Sequence, residues 1–320
     1  MDQDVIARLA PSPSGYLHMG NLLSLLLAWL DCRAQNGELI FRMEDLDPAR
    51  SRADYAEAMA DDLRWLGLDW DRGWPEPSYA QSRRTAVYEE AFAALEARGL
   101  VYPCWCSRAE RLAAASAPQP GEKEHDASCR CARFTADERE AQLRASPRPP
   151  AWKLRCPDET LRLIDGHYGE LLQNPAREVG DFIIRRADGD FAYQLAVSVD
   201  DWRMGVTRVV RGRDLLSSSP RQAWLIETLG GRAPSYCHAP LLIESGGSAA
   251  GEKLSKRRGS LSMQELRNSF RPEALCGRLA FLCGLIDRDE PVTPRELLAD
   301  FSWTRVKTED ILCDERSAHP

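Results

Sequence analysis

No apolar run in the chain approaches the length of a bilayer span. The longest, Leu25 to Leu30, has six residues, whereas a membrane helix needs roughly 20, so no contact with membrane is expected. The opening residues Met1-Asp2-Gln3-Asp4 lack the basic start and apolar centre of a secretory leader. A cytoplasmic, reducing location is therefore expected, and disulfides among the ten cysteines are not. Overall basicity is missing too: the net charge is −7, so any RNA partner must meet a local basic surface, since global attraction is absent. Such stretches occur at Arg208 to Arg213 and Lys253 to Arg258, although most runs of this kind are solvated faces. What remains is 320 residues, 43% of them hydrophobic, enough for two modest domains or for one α/β domain carrying an insertion. No internal repeat is visible; a monomer is the simplest expectation.

Val5-Ile6-Ala7-Arg8-Leu9 alternates as a strand does, Pro11-Ser12-Pro13-Ser14-Gly15 interrupts it, and Leu22 to Ala34 reads as a buried helix. Leu39 to Met43 gives a second strand ending at Glu44, Asp45 and Asp47, followed by helical spacing from Ala53 to Trp65. This β-α-β-α order predicts a Rossmann-like, doubly wound parallel sheet. Residues 1–100 form its first half, with a helix over Arg83 to Arg98. Between Tyr102 and Cys131 the composition shifts to Cys, Pro, Ala and Ser, and residues 101–190 are read as an inserted α+β subdomain. The sheet resumes over 191–260, with strands at Val206 to Arg211 and Pro240 to Ile243 and a helix near Gln222 to Leu229. Residues 261–320 make a short helical C-terminal region, one helical pattern running from Met263 to Leu285; beyond Arg305 the tail is polar and a candidate for disorder.

Two stretches carry chemistry. Pro11 to Asn21, between the first strand and helix, includes His18 and Gly20. A helix start in that crevice offers unpaired N–H groups to phosphate, glycine allows close backbone approach, and histidine can donate to a phosphoryl oxygen. The second stretch, Gly251-Glu252-Lys253-Leu254-Ser255-Lys256-Arg257-Arg258, follows a Gly/Ser-rich run and presents two lysines able to neutralise a departing pyrophosphate. Taken singly, each also fits an ordinary helix start or surface loop.

Together and in this order they resemble the paired signatures of class I aminoacyl-tRNA synthetases. His18-Met19-Gly20-Asn21 stands where that class has His-Ile-Gly-His, and Lys253-Leu254-Ser255-Lys256-Arg257 where it has Lys-Met-Ser-Lys-Ser. Asn21 and Arg257 depart from the pattern; asparagine still donates to phosphate and caps a helix. Arg8 to His18, Phe41 to Asp47, Trp65 to Asp71 and Asp200 to Gly212 look like the glutamyl branch, and the resemblance runs from Arg8 to about Trp303.

The resemblance implies that His18, Asn21, Lys253 and Lys256 are catalytic and, with Gly20, bind ATP with Mg2+. It implies a glutamate pocket of Arg8, Leu9, Ala10, Pro11, Ser12, Glu44, Tyr193 and Arg211. A dicarboxylic amino acid needs two cationic partners and one anionic one, and arginine grips carboxylate in bidentate fashion where lysine cannot. Glu44 would take the α-ammonium. Arg211 would separate glutamate from glutamine, because a guanidinium lacking its carboxylate is left unpaired.

In the insertion, Cys104-x-Cys106 and His125-x-x-x-Cys129 supply four ligand types suited to a structural Zn2+. The small glutamyl relatives have tyrosine where His125 stands, and Cys131 remains an alternative fourth ligand. Cys32, Cys156, Cys237, Cys276, Cys283 and Cys313 are scattered and read as buried or free. Only 64 residues follow Lys256, too few for the anticodon-binding part of an ordinary glutamyl enzyme. This shortened form resembles the glutamyl-queuosine tRNA(Asp) synthetases, which implies L-glutamate, ATP and queuosine-containing tRNA(Asp) as partners. Two alternatives stay open: a glutamyl-tRNA synthetase fragment charging a tRNA 3′ end, and a catalytically silent RNA-binding paralogue.

Overall fold

The computed structural model describes residues 4–106, 129–244 and 262–313. Strand β1 (Ile6–Leu9) enters helix α1 (Met19–Ala34) through the proline-rich loop, and β2 (Glu38–Phe41), α2 (Ala53–Trp65), β3 (Arg72–Gly73) and α3 (Thr85–Ala97) follow. Strands β1, β2 and β3 pair in parallel in that order. Helix α1 is apolar on nearly all sides, with buried leucines at 22, 23, 25, 26, 27 and 30, as expected of a helix enclosed by the core and not laid on its surface. It packs the main hydrophobic cluster with Leu9, Phe41, Met59, Leu63, Leu275 and Leu279.

The chain then leaves through β4 (Val101–Cys104), α4 (Ala136–Ala145) and β5 (Ala151–Leu154), and after an excursion returns through α5 (Pro175–Glu178) and β8 (Phe182–Arg185). Strands β4, β5 and β8 form an antiparallel sheet. The excursion is the hairpin of β6 (Leu161–Asp165) and β7 (Gly169–Gln173). It lies within the span read as one insertion, yet it joins the other half of the fold: β6 pairs in parallel with β10 (Ser235–Ala239) at Asp165 and Tyr236. Such pairing depends on a partner some 70 residues away, which local periodicity does not report.

The second half comprises α6 (Tyr193–Arg203), β9 (Arg208–Gly212), α7 (Ser219–Thr228), β10 and β11 (Leu242–Glu244), giving the sheet order β7-β6-β10-β9. Strands β1 and β9 lie side by side, joined by the Thr207 N–H donating to Ile6 O at 2.9 Å and by Arg8 Nη1 donating to Val210 O at 2.9 Å. The doubly wound expectation is met, with the order reversing between β1 and β9, the crevice where open α/β sheets bind ligands.

At the C-terminal end the expected single helix is two, α8 (Met263–Ser269) and α9 (Pro272–Cys283). Pro272 forces Arg271 into an extended conformation with ψ 157°, which breaks the helix. A short helix α10 (Pro294–Leu297) follows, and β12 (Ile311–Cys313) pairs with β11, so this part of the polar tail is ordered by a sheet partner. Among the described residues no helix is long and apolar enough to cross a membrane.

Candidate active site

A cavity of about 570 Å³ opens at the seam between β1 and β9. One wall is the first turn of α1, which is capped by histidine. His18 Nδ1 accepts the Gly20 N–H at 3.2 Å, and Asn21 Oδ1 accepts the His18 N–H at 3.3 Å. With Nδ1 accepting, the neutral ring carries its proton on Nε2. A Cβ on residue 20 would lie 3.1 Å from His18 Cε1, so glycine is what lets the ring sit so close to the helix. The substitution Asn21 thus serves the cap, and the helix end adds its partial positive charge to the cavity wall.

The floor is a buried charge cluster. Arg42 is fully buried; its Nη1 lies 2.7 Å from Asp201 Oδ1 and its Nη2 3.0 Å from Glu44 Oε1. Arg8 Nε lies 3.4 Å from the same Asp201 oxygen. Burial alone would raise the Asp201 carboxyl, but Arg42 and Arg8 outweigh it and hold the group below its ordinary range. For Glu44 burial wins and pushes the carboxyl up against the pull of Arg42 and Arg8, so a further cation beside Glu44 would favour its charged form. Burial pushes the Tyr193 phenol up to about 12, which keeps it an O–H donor.

Arg211 closes the floor from β9. Its Nε donates to His238 Nε2 at 3.2 Å and its Nη2 to Ser219 Oγ at 2.8 Å, while its guanidinium carbon sits 5.4 Å from the Tyr236 ring centroid. Nη1 is buried and has no partner; among the described residues lining the cavity it is the one buried side-chain nitrogen or oxygen so left. An unpaired cationic nitrogen in such a place favours an anionic guest.

The structure thus brings Arg8, Ala10, Pro11, Ser12, His18, Gly20, Asn21, Glu44, Tyr193 and Arg211 to one cavity. The Leu9 side chain is fully buried in the main core and does not line it, although Leu9 O accepts the Arg42 N–H at 2.9 Å. Lys253 and Lys256 lie outside the described residues. Sequence reasoning gave no role to Arg42, Asp201, Ser219 or His238: their partners are up to 193 positions away, and no local pattern says what each would touch. A second hollow of about 320 Å³ shares Ser12, Ser14, Glu44 and Tyr193 with the first and continues past Phe191 to Arg50 and Arg186.

The family model described as tRNA synthetases class I (E and Q), catalytic domain, matches residues 4–316. A Glutamyl-Q tRNA(Asp) synthetase of Symbiobacterium thermophilum is 45% identical over 314 residues, covering 95% of this chain and 94% of its own. That of Nitratidesulfovibrio vulgaris is 44% identical over 310 residues, with the same coverage. This chain belongs to the glutamyl-Q tRNA(Asp) synthetases. It is therefore an enzyme of the class I aminoacyl-tRNA ligase type. The crystal structure of a glutamate tRNA ligase from Elizabethkingia meningosepticum, in complex with its amino acid, has the same fold, with a TM-score of 0.81 at 24% identity over 99% of this chain and 68% of that one.

This glutamyl-Q tRNA(Asp) synthetase family member carries a second cluster in the insertion. Cys104, at the end of β4, and Cys106 meet Cys129 and Cys131, and all four sulfurs lie within 4.8 Å of one another. The Cys104–Cys129 and Cys106–Cys131 pairs are 3.5 and 3.7 Å apart. The edge of a tetrahedron with Zn–S bonds of 2.3 Å is about 3.8 Å, so these residues fit Zn2+. Hydrogen bonds from Cys104 and Tyr102, with Lys153 nearby, pull the Cys129 thiol down against burial, whereas the bond to Cys129 and burial push Cys104 up, and burial and the neighbouring sulfurs push Cys106 up; a cation among the four would favour the thiolate forms. The alternative ligand Cys131 stands in this cluster; His125 lies outside the described residues.

Proposed function

We propose that this chain activates L-glutamate with ATP and Mg2+, forming glutamyl-adenylate and pyrophosphate, and transfers the glutamyl group to the queuosine base of tRNA(Asp). The observation that carries the first half is the unpartnered Nη1 of Arg211 in the cavity beside the His18 cap. Arg211 and Arg8 take the carboxylates and Glu44 the α-ammonium, which restores the charged form that burial disfavours. Ser12 and Tyr193 donate hydrogen bonds, and the backbone from Leu9 to Pro11 shapes the wall. The His18 Nε2–H, Asn21 and the N-terminus of α1 face the phosphates across Gly20; Lys253 and Lys256 neutralise the pyrophosphate as it leaves. The substrate α-carboxylate attacks the α-phosphorus, and no covalent enzyme intermediate forms.

The relatives' name supports this acceptor, and the second hollow fits it, since a hydroxyl of the queuosine ring entering there would reach the carbonyl carbon beside Ser12 and Tyr193. Attack there releases AMP. Zn2+ held by Cys104, Cys106, Cys129 and Cys131 is structural, since four protein ligands leave no position for substrate.

Transfer of labelled glutamate to tRNA(Asp) with queuosine, to tRNA(Asp) with guanine at the same position, and to tRNA(Glu) tests the whole reading. Labelling of the first alone is expected. Charging of tRNA(Glu), or equal labelling of both tRNA(Asp) forms, would overturn the acceptor and leave adenylation standing.

A further inference from the structure

Behind Arg211 lies a pair of fully buried side chains with no solvent contact, His238 and Asp165. They come from adjacent strands: His238 is the register partner of Arg211 between β10 and β9, and Asp165 ends β6 on the other side of β10. His238 Nδ1 is 2.6 Å from Asp165 Oδ2. Its Nε2 faces the Arg211 Nε–H at 3.2 Å and the Ser219 hydroxyl at 3.2 Å. An arginine nitrogen can only donate, so Nε2 must accept, and the proton belongs on Nδ1, where the Asp165 carboxylate receives it. Burial lowers the affinity of His238 for a second proton, and Arg211 lowers it further, against the opposing Asp165.

We infer that Asp165 and His238 are positioning residues for glutamate, fixing the tautomer that anchors Arg211 through its Nε and so leaving Nη1 for the substrate side-chain carboxylate. The inference rests on the reading of Arg211 as a glutamate residue. With Nη2 donating to Ser219 Oγ and to Leu215 O at 3.3 Å, every other N–H of the guanidinium is held by protein, and only Nη1 remains. The guanidinium plane is thereby set before substrate arrives, and the charge-assisted bond from its one open nitrogen favours a carboxylate over a neutral amide.

Asp165→Asn isolates this role. Asp165 Oδ1 accepts the backbone N–H groups of His167, Tyr168 and His238 at 3.0, 2.9 and 3.3 Å, and the amide oxygen of asparagine can keep all three. Only the atom facing His238 Nδ1 changes, from acceptor to donor. The ring must then carry its proton on Nε2, which sets a donor against the Arg211 Nε–H. Losing a hydrogen bond to a charged group at this point corresponds to about a 10- to 100-fold rise in KM for glutamate.

The experiment is glutamate-dependent exchange of pyrophosphate into ATP, run with and without tRNA, on the wild type, Asp165→Asn, His238→Gln, His238→Leu and Arg211→Lys. Asp165→Asn and His238→Leu are expected to raise the glutamate KM while the ATP KM stays within about twofold, and to narrow the preference for glutamate over glutamine. His238→Gln, whose amide oxygen can reach the Nε2 position and accept from Arg211, is expected to recover most of the affinity. If Arg211→Lys raises the glutamate KM and Asp165→Asn does not, the positioning role is overturned while the pocket reading survives. If Arg211→Lys leaves the glutamate KM unchanged, the pocket reading itself falls. Equal losses for ATP and glutamate in Asp165→Asn, or a His238→Gln variant as poor as His238→Leu, would mean that the pair supports the fold and does not orient Arg211.

Discussion

Removing the proposed zinc ligand Cys131 by Cys131→Ser should release the metal and unfold the insertion tip while the nucleotide-binding half stays folded. The magnitude follows from what is buried there. Of the six buried residues described in this small core, four are the cysteines themselves, leaving Tyr102 and Ala132 as apolar filling, with Trp105 and Phe134 at its edge. Burying those two returns about 2–4 kcal/mol. Ordering residues 104–106 and 129–134, nine in all, costs roughly 9–18 kcal/mol of backbone entropy at about 1–2 per residue. A structural zinc would supply about 10–16 kcal/mol, which covers the difference, and no other interaction among the described residues of this cluster approaches it. Native mass spectrometry should therefore find one zinc per wild-type chain and none in Cys131→Ser, with new proteolytic cuts confined to the region between β4 and β5. His125→Ala should keep its zinc. A Cys131→Ser protein with full zinc content and the wild-type cleavage pattern would refute the four-cysteine assignment; loss of metal in His125→Ala would return histidine to the ligand set.

Arg42→Met strands two buried carboxylates, Asp201 and Glu44, and should cost about 3–5 kcal/mol in urea denaturation; a loss under about 1 kcal/mol would show that the cluster reorganises without it. Asp201 has a folded-state pKa held below that of an unfolded carboxyl, about 3.9, by Arg42 and Arg8 acting against burial. Its contribution is therefore full above that pH and disappears as the pH falls through the lowered folded value. Denaturation midpoints from pH 7 down to pH 2 should show this acid limb flattened in Asp201→Asn, and superimposable profiles would contradict it. Lys256→Ala should depress pyrophosphate exchange by about two to four orders of magnitude, whereas an unchanged rate would remove Lys256 from the mechanism.

The first strand, the loop and the buried helix were legible because each carries its own signal: alternation in Ile6 to Leu9, prolines, then leucines on every face. So was the convergence of Arg8, His18, Glu44, Tyr193 and Arg211 on one cavity, which the resemblance to the glutamyl branch implied. The break before Pro272 was readable in principle, since a residue preceding proline avoids helical geometry, but apolar spacing continues across it and masked the stop. The β6–β7 hairpin was not readable: Ile164 and Leu172 are 59% and 58% exposed, so its apolar residues misreport where it belongs. Nor was the buried support of the pocket. Arg42, Asp201, Asp165 and His238 gain their meaning from partners on other strands, and a lone histidine inside a strand such as Tyr236-Cys237-His238-Ala239 looks like any other core residue.

Helix α8 is capped by Ser262, which forms an isolated antiparallel bridge with His18, and the Met263 N–H donates to Leu17 O at 2.8 Å. Its far side is clasped to α2 by Arg267, whose Nη1 lies 2.6 Å from Asp61 and 3.0 Å from Asp62. Lys256 precedes Ser262 by six residues, so covalent geometry alone keeps its Cα within roughly 22 Å of that of Ser262, the bridge partner of His18. The lysine assigned above to the departing pyrophosphate is thus tied by the chain itself to the His18 end of the cavity. Linkers of that length hold their cargo at effective concentrations in the millimolar range, and severing the chain between Lys256 and Ser262 would exchange that local excess for the far lower concentration of a separate fragment.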